Sequence, residues 1–502
     1  MKKESSIFLR CLQISLILFA AGLYVFFSLQ SNLWFDEAYT YGLVKKESLW
    51  EMIRISSCDV HPPLYYILLW LFTRVCGTSV VAMRLFSALG AVLFCALGYT
   101  HIRKDFGEKA GFWFTFFAVF SGAVFTNALE IRMYSWLALF AALTLIYAGR
   151  RLEHGDRTKD RVLFIVFSVA TAYTHYYGLL FVSALNIALL LKDRKDNRPL
   201  KNWYVTGAWQ IAFYLPGIAI LARQLLNRGG GWQSILFPNA VVDFITYPLL
   251  GEELDHFFPD SGEIYDLLYR ISCLVIVTAF LALAVFFVKR FKQDENNAMK
   301  RAVSGSFTVF CLLFAFVLWV SVAVVVYQVR YLFVFISAMI FAGVYLFSGL
   351  NRKAVKCICA GVLVLIFAAR ACTVYSDRFA PECGEVYEFA RSEIGQDDVI
   401  INDNINGNVI SVLFYDNEAY FYNSEDWSVE VAYLAFGNHY KVKNEIKPSD
   451  FYGAGKEIVV LGKGSIFEAF CADEKYENVF AKRIFSPYHD TEYFFAKFKY
   501  KE

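Results

Sequence analysis

Apolar runs of about 20 residues recur through the chain, at about 7–29, 80–101, 110–128, 133–149, 162–175, 177–191, 203–222, 267–288, 303–326, 331–349 and 354–375. Roughly 20 mainly apolar residues are what a helix needs to cross about 30 Å of hydrocarbon. Lipid offers the backbone no hydrogen bonds, so such runs must be helices. These windows predict an α-helical polytopic membrane protein with about 11 transmembrane helices. Charged residues make up only 19% of the chain, against 57% hydrophobic, which agrees with that class and not with a soluble domain. The close pair 162–175 and 177–191 reads as either two tight spans or one broken one. The stretch "LYYILLWLFTRVCG", after His61-Pro62-Pro63, is too short to span and suits a helix lying in the interface.

Orientation follows from Lys and Arg in the short loops. Lys2, Lys3 and Arg10 precede the first apolar run, which is long and lacks a small-x-small cleavage pattern before Trp34. It reads as a retained first span with a cytoplasmic N-terminus, not a signal peptide. Alternate loops are then basic and inside: Arg103, Lys104 and Lys109; "GRRLEHGDRTKDR"; "KDRKDNRPLK"; "KRFKQDENNAMKR"; "NRK". The loop after the first span, "NALEIRMYS", "THYYG", the Gly229-Gly230-Gly231 loop, "YQVR" and everything after Tyr375 fall outside. These are poorer in Lys and Arg, although the first contains Lys45 and Lys46.

From about Ser376 the pattern changes. "DDVIINDN", "GNVISVLFYD", "KEIVVLGKG" and "YFFAKFKYKE" mix short β-type runs with polar turns. Residues 376–502 therefore read as a small soluble α/β domain on the extracytoplasmic side, following a transmembrane domain of residues 1–375. The net charge of +2 is distributed by loop and forms no patch for nucleic acid. The 11 cysteines are scattered, mostly in apolar runs, with no metal-ligand spacing, and read as small apolar residues.

Charged groups at membrane level are costly and usually functional. On this topology Asp36 and Glu37, His61, Glu130, Arg132 and Tyr134, His175 and Tyr176, and Arg330 and Tyr331 all arrive at the outer face, each accompanied by aromatics. Singly, each has a plainer reading. Asp36 is a good helix cap, Glu130 and Arg132 a loop ion pair, His175 a structural histidine, His61-Pro62-Pro63 a rigid turn, and the Tyr and Trp residues an aromatic belt. Together they read as a site at the membrane boundary that handles a polar group carried on a lipid.

At these residues the chain resembles the membrane glycosyltransferases of the C-type fold that use polyprenyl-phosphate sugars, specifically the protein-mannosyltransferase-like and lipid A aminoarabinose-transferase-like group. The resemblance rests on "FDEAYT", "HPPLYY", "MRLFSALGAV", "LEIRMYS", "THYYG" and "VRYL", in that order over about residues 7–350. It implies an integral-membrane glycosyltransferase moving a sugar from a polyprenyl-phosphate donor to a lipid, glycan or protein acceptor at the outer face. The catalytic base of that family falls on Asp36. Some relatives hold a metal near the site; here a divalent metal is left open and its ligands unknown. No nucleotide is expected, because no phosphate-cradling loop is seen. Direct displacement would invert the anomeric centre. Arg132 and Arg330 suit the lipid phosphate, since guanidinium binds phosphate bidentately. Glu37 either orients the site or binds a sugar hydroxyl, and His61 or His175 assists with proton or sugar contacts. The rival reading is a multi-span transporter or flippase of a lipid-linked sugar. Its charges would sit near mid-membrane in repeated halves, and the sequence shows no repeat.

Overall fold

The computed structural model describes residues 2–29, 32–155, 157–226, 237–251, 263–293, 297–321, 329–422, 430–442, 444–487 and 490–501. The Gly229-Gly230-Gly231 loop, and Tyr327 and Gln328 of "YQVR", lie outside these residues. The chain divides into two compact units. One comprises Met1–Phe27, Ser87–Ile218 and Gly231–Ala371; the other comprises Ser28–Phe86, Ala219–Gly230 and Cys372–Glu502.

The first unit is helical. Among the described residues of the whole chain, six helices are long and apolar enough to cross a membrane. They become seven if the bent pair Glu108–Val119 and Gly122–Ala128 is one span. That pair fills the window expected as a single helix but bends by 60°. The break has a local cause: Ser121 caps the second piece by accepting from the Val124 amide at 3.4 Å, and its hydroxyl donates to the Pro248 carbonyl at 2.6 Å. Other windows form helices of different length, such as Thr158–Thr174 with 17 residues and Ile336–Ser348 with 13. Arg330 and Tyr331 sit on a 3-10 turn, Val329–Phe335, just before the latter. A further helix, Phe237–Leu250, was not expected from the windows. Its 14 residues, which include Pro248 and the buried Asp243, are too few to register as a span.

The close pair of windows resolves into two helices, Thr158–Thr174 and Tyr176–Lys195, with His175 alone between them in extended conformation (φ −158°, ψ 146°). The chain folds back so tightly there that a Cβ on Gly178 would lie 2.2 Å from the Thr171 carbonyl oxygen.

The second unit joins the segment after the first span to the C-terminal region. Three short helices, Phe35–Val44, Leu49–Ser56 and Leu64–Cys76, occupy the early segment. The last is the short helix expected after His61-Pro62-Pro63. The C-terminal region is built on six strands: β1 Val399–Asn402, β2 Ala419–Tyr422, β3 His439–Lys441, β4 Ile458–Leu461, β5 Tyr476–Ser486 and β6 Thr491–Tyr500. Their order is β3-β2-β1-β4-β6-β5, parallel from β3 to β4 and antiparallel at β6 and β5. Strands β1 ("VIIN") and β4 ("IVVL") are buried at every residue, as central parallel strands are. Val399, Ile401, Ile458 and Val460 form one face of a core with Ile466, Phe470 and Phe498. Asp403, just past β1, accepts from the amides of Gly464, Ile466 and Phe467 at 2.8–3.1 Å and so caps the helix Ser465–Ala472. Burial pushes this carboxyl above its ordinary pKa, against the pull of those three donors.

The helix Phe35–Val44 meets this domain at Gly42, where a Cβ would fall 1.8 Å from the Ala435 carbonyl oxygen. Only glycine allows that approach. Gly42→Ala should lower stability by about 1–3 kcal/mol, as overpacking does, although alanine is the better helix former. A thermal melt of the purified protein checks this, and an unchanged or raised Tm would contradict the contact.

Candidate active site

Ten residues were singled out in the sequence. Asp36, Glu37 and His61 fall in the second unit, and Glu130, Arg132, Tyr134, His175, Tyr176, Arg330 and Tyr331 in the first.

In the second unit, Asp36 and Glu37 occupy the first turn of the helix Phe35–Val44, where the positive end of the helix dipole favours carboxylates. Being adjacent on a helix, they point in different directions and meet different fates. Glu37 is fully buried, at 0% exposure, against an equally buried Arg84. The guanidinium donates to it through Nε to Oε1 at 3.0 Å and Nη2 to Oε2 at 2.9 Å. Arg84 Nη2 also donates to the Asn32 carbonyl, and the Trp34 amide donates to Glu37 Oε2 at 3.4 Å. Asp36 is only partly buried, and its carbonyl accepts from the Thr40 hydroxyl at 2.9 Å. One carboxylate thus fastens the turn from beneath while the other keeps some exposure.

The C-terminal region completes the clamp. Tyr387 donates through its hydroxyl to the Leu33 carbonyl at 2.8 Å and accepts from the Leu33 amide at 3.0 Å. Asn32 donates to the Cys383 carbonyl at 3.0 Å. Phe436 packs against Phe35 and Tyr39, with ring centroids 5.0 and 5.8 Å apart. Lys46 donates to the Gly437 carbonyl at 3.2 Å. His61 is buried, and Gln224 ties its carbonyl to that of Ser56 by donating 3.0 Å bonds to both.

In the first unit, Arg132, Tyr134 and His175 are buried and Arg330 and Tyr331 half-buried. They gather around the His175 link. The His175 ring lies 6.0 Å from that of Tyr134 and 5.0 Å from that of Tyr331, and Arg330 stands 6.0 Å over Tyr134. His175 Nδ1 accepts from the Tyr177 amide at 3.1 Å, which places the neutral ring's proton on Nε2. Burial, with Arg132 and Arg330 adding to it, pulls the His175 pKa down to about 3. The imidazole is therefore uncharged at neutral pH, and the positive charge here belongs to the arginines. Glu130 and Tyr176 are half-buried on the same two loops. Tyr247 accepts from Asn127 Nδ2 at 3.0 Å and lies within electrostatic reach of Glu130 and Arg330. Among the described residues, no three His, Cys, Asp or Glu side chains gather as a metal site.

Sequence reasoning passed over Arg84, although it lies within the quoted "MRLFSALGAV". The available signal was that Arg84 is the single charge in the apolar helix Val80–Leu97. It also missed Tyr247, whose helix is too short for a span window, and Tyr387 and Phe436, which match no motif.

Two outcomes follow. Arg84→Met strands a buried carboxylate and should cost about 3–5 kcal/mol, whereas Arg84→Met combined with Glu37→Gln should recover a large part. Thermal melts of the two single variants and the double variant measure this coupling. For His175, the folded pKa lies below the unfolded 6.5, so the unfolded chain binds a proton that the folded chain does not. The resulting stability is lost as pH falls from 6.5 towards 3. His175→Gln should flatten that part of the stability–pH curve, and an unaltered slope would contradict the burial.

Residues 60–220 match the family model described as dolichyl-phosphate-mannose-protein mannosyltransferase. No curated protein sequence matches the chain. Among solved structures, ArnT from Cupriavidus metallidurans in the apo state is similar with a TM-score of 0.60 at 12% identity, over 96% of this chain and 97% of that one. ArnT from the same organism bound to undecaprenyl phosphate gives 0.60 at 11% identity over the same shares. A looser likeness, with a TM-score of 0.44 at 13% identity, is to the Archaeoglobus fulgidus oligosaccharyltransferase, over 89% of this chain and 67% of that one. The chain is thus similar to the membrane glycosyltransferases that draw on polyprenyl-phosphate sugars, in fold over nearly its whole length and in sequence over residues 60–220.

Proposed function

We propose that this multi-pass membrane protein is an inverting glycosyltransferase that moves a sugar from a polyprenyl-phosphate donor to an acceptor hydroxyl at the outer membrane face. The observation that carries the reading is the unequal fate of the acid pair. Glu37 is neutralised by Arg84 in a dry setting, and Asp36 is held beside it with part of its surface open. That is the arrangement a fixed general base requires.

In the proposed reaction the acceptor oxygen attacks the anomeric carbon and its proton passes to Asp36. The bond from that carbon to the phosphate oxygen breaks, and the lipid phosphate departs with the electron pair. Arg132 and Arg330 meet that growing charge, and the neutral His175 leaves the task to them. The match with an ArnT structure bound to undecaprenyl phosphate supports a polyprenyl phosphate as carrier. Glu37 takes the orienting role of its two alternatives. Glu130, Tyr134, Tyr176, Tyr331 and His61 are assigned to the donor and acceptor surroundings. We assign residues 1–375 to the transferase and 376–502 to an extracytoplasmic domain, with the N-terminus cytoplasmic.

Asp36→Asn should reduce transfer from a polyprenyl-phosphate sugar by about 10²–10⁴-fold while the protein still inserts and binds donor. Near-normal turnover would remove Asp36 from the role. Arg132→Lys and Arg330→Lys should both weaken donor binding, because a point charge does not reproduce the guanidinium fork; donor affinity equal to the parent's in both would overturn the phosphate assignment. The native Cys471, exposed in the C-terminal domain, reports orientation. With the other ten cysteines replaced by serine, an impermeant thiol reagent should label it on intact cells. Labelling only after lysis would invert the topology.

A further inference from the structure

The first unit holds a second feature that the proposed reaction does not use. A cavity of about 980 Å³ opens between the ends of several of its helices. One part of its wall is apolar, from Leu145, Ile146, Leu185, Leu189, Val309 and Phe341. The rest is strongly basic, with seven Lys and Arg side chains against the three carboxylates of Asp105, Glu153 and Asp196.

The carboxylates are already engaged. Asp105 takes both forks of Arg150 at 2.9–3.2 Å, and Glu153 pairs with Arg301 at 2.8 Å. Asp196 is shared by Lys192 at 2.8 Å and Arg198 at 3.4 Å. Seven cations against three carboxylates leave the cavity a net positive charge. Lys104 and Lys195 are exposed and make no ion pair with the three carboxylates, although Lys195 lies within electrostatic reach of Asp196. Lys300 lies 4.8 Å over the Phe291 ring. All these cations lie on the loops that the charge pattern assigns to the cytoplasm. Apolar wall and surplus cations in one cavity match a molecule with a hydrocarbon tail and an anionic head.

We propose that this cavity is a binding site for an anionic phospholipid, its phosphate held at the exposed Lys104 and Lys195 and an acyl chain lying along the apolar wall. Basic pockets between helix ends at the cytoplasmic surface bind anionic headgroups in this way. The assignment to a leaflet rests on the proposed orientation; the binding itself does not.

The test uses the purified full-length chain, delipidated in neutral detergent and titrated with phosphatidylglycerol or phosphatidylcholine, with bound lipid counted by native mass spectrometry. Phosphatidylglycerol should bind more tightly, and its affinity should fall with salt. Removing one exposed cation, in Lys104→Gln or Lys195→Gln, should weaken it about fivefold, and removing both about 25-fold. Neither side chain belongs to an ion pair of the cavity, so both variants should melt as the parent does. Ala142→Trp, which fills part of the cavity, should weaken binding without changing the charge. Equal affinity for the two phospholipids, or unchanged affinity in the double lysine variant, would overturn the proposal. So would a polyprenyl phosphate that displaces phosphatidylglycerol at equimolar concentration, since the occupant would then be the carrier lipid. None of these readouts measures sugar transfer, so failure here and failure of the glycosyltransferase reading are separate results.

Discussion

The second unit depends on one buried ion pair. Arg84 and Glu37 are both withdrawn completely from solvent, and neither charge is tolerable there alone. Two parallel hydrogen bonds and a third to the Asn32 carbonyl meet much of the guanidinium's bonding capacity. The pair fixes the direction of the turn Asn32–Phe35, and hence of the helix whose first turn carries Asp36. A lysine in place of Arg84 would keep the charge and lose the fork. The side chain beside the pair can then be partly exposed without being loose.

The two groups of candidate residues are built on opposite electrostatic principles. Around Asp36, a helix N-terminus and a neighbouring carboxylate paired with Arg84 set off one partly buried acid. Around His175, two arginines and deep burial hold the imidazole neutral. Positive charge is thus concentrated in guanidinium groups, which do not titrate in the working range. The tight turn at His175 places one extended residue between two helices, and that residue is only 3% exposed.

The helical class, the short helix after the prolines and the α/β character of the C-terminal region were legible in the sequence because they rest on local periodicity and composition. The two windows on either side of His175 were also visible, though not which way the junction would turn, since that depends on contact between Gly178 and Thr171. The helix Phe237–Leu250 was hidden because its apolar run is short and interrupted by Pro248. For the candidate site, the residue types were legible as charges in an apolar setting. Their unequal burial was not. Nothing local distinguishes Asp36 from Glu37; the distinction comes from Arg84, 47 residues further on. The bracing by Tyr387 and Phe436 was equally invisible, as it depends on pairings between distant parts of the chain.

Those pairings bear on how the protein is made. Leu33 is bonded at both its amide and its carbonyl to a tyrosine 354 residues later. Gly42 fits beneath a carbonyl of Ala435. During synthesis the turn before Asp36 leaves the ribosome early, and its partners are among the last segments to follow. Arg84 can meet Glu37 soon after the second span is inserted, but the outer clamp waits for the C-terminal domain to fold. The acid-bearing helix is therefore finished last, and a chain interrupted before Tyr387 carries every charged residue of the candidate site without the brace that sets their stage.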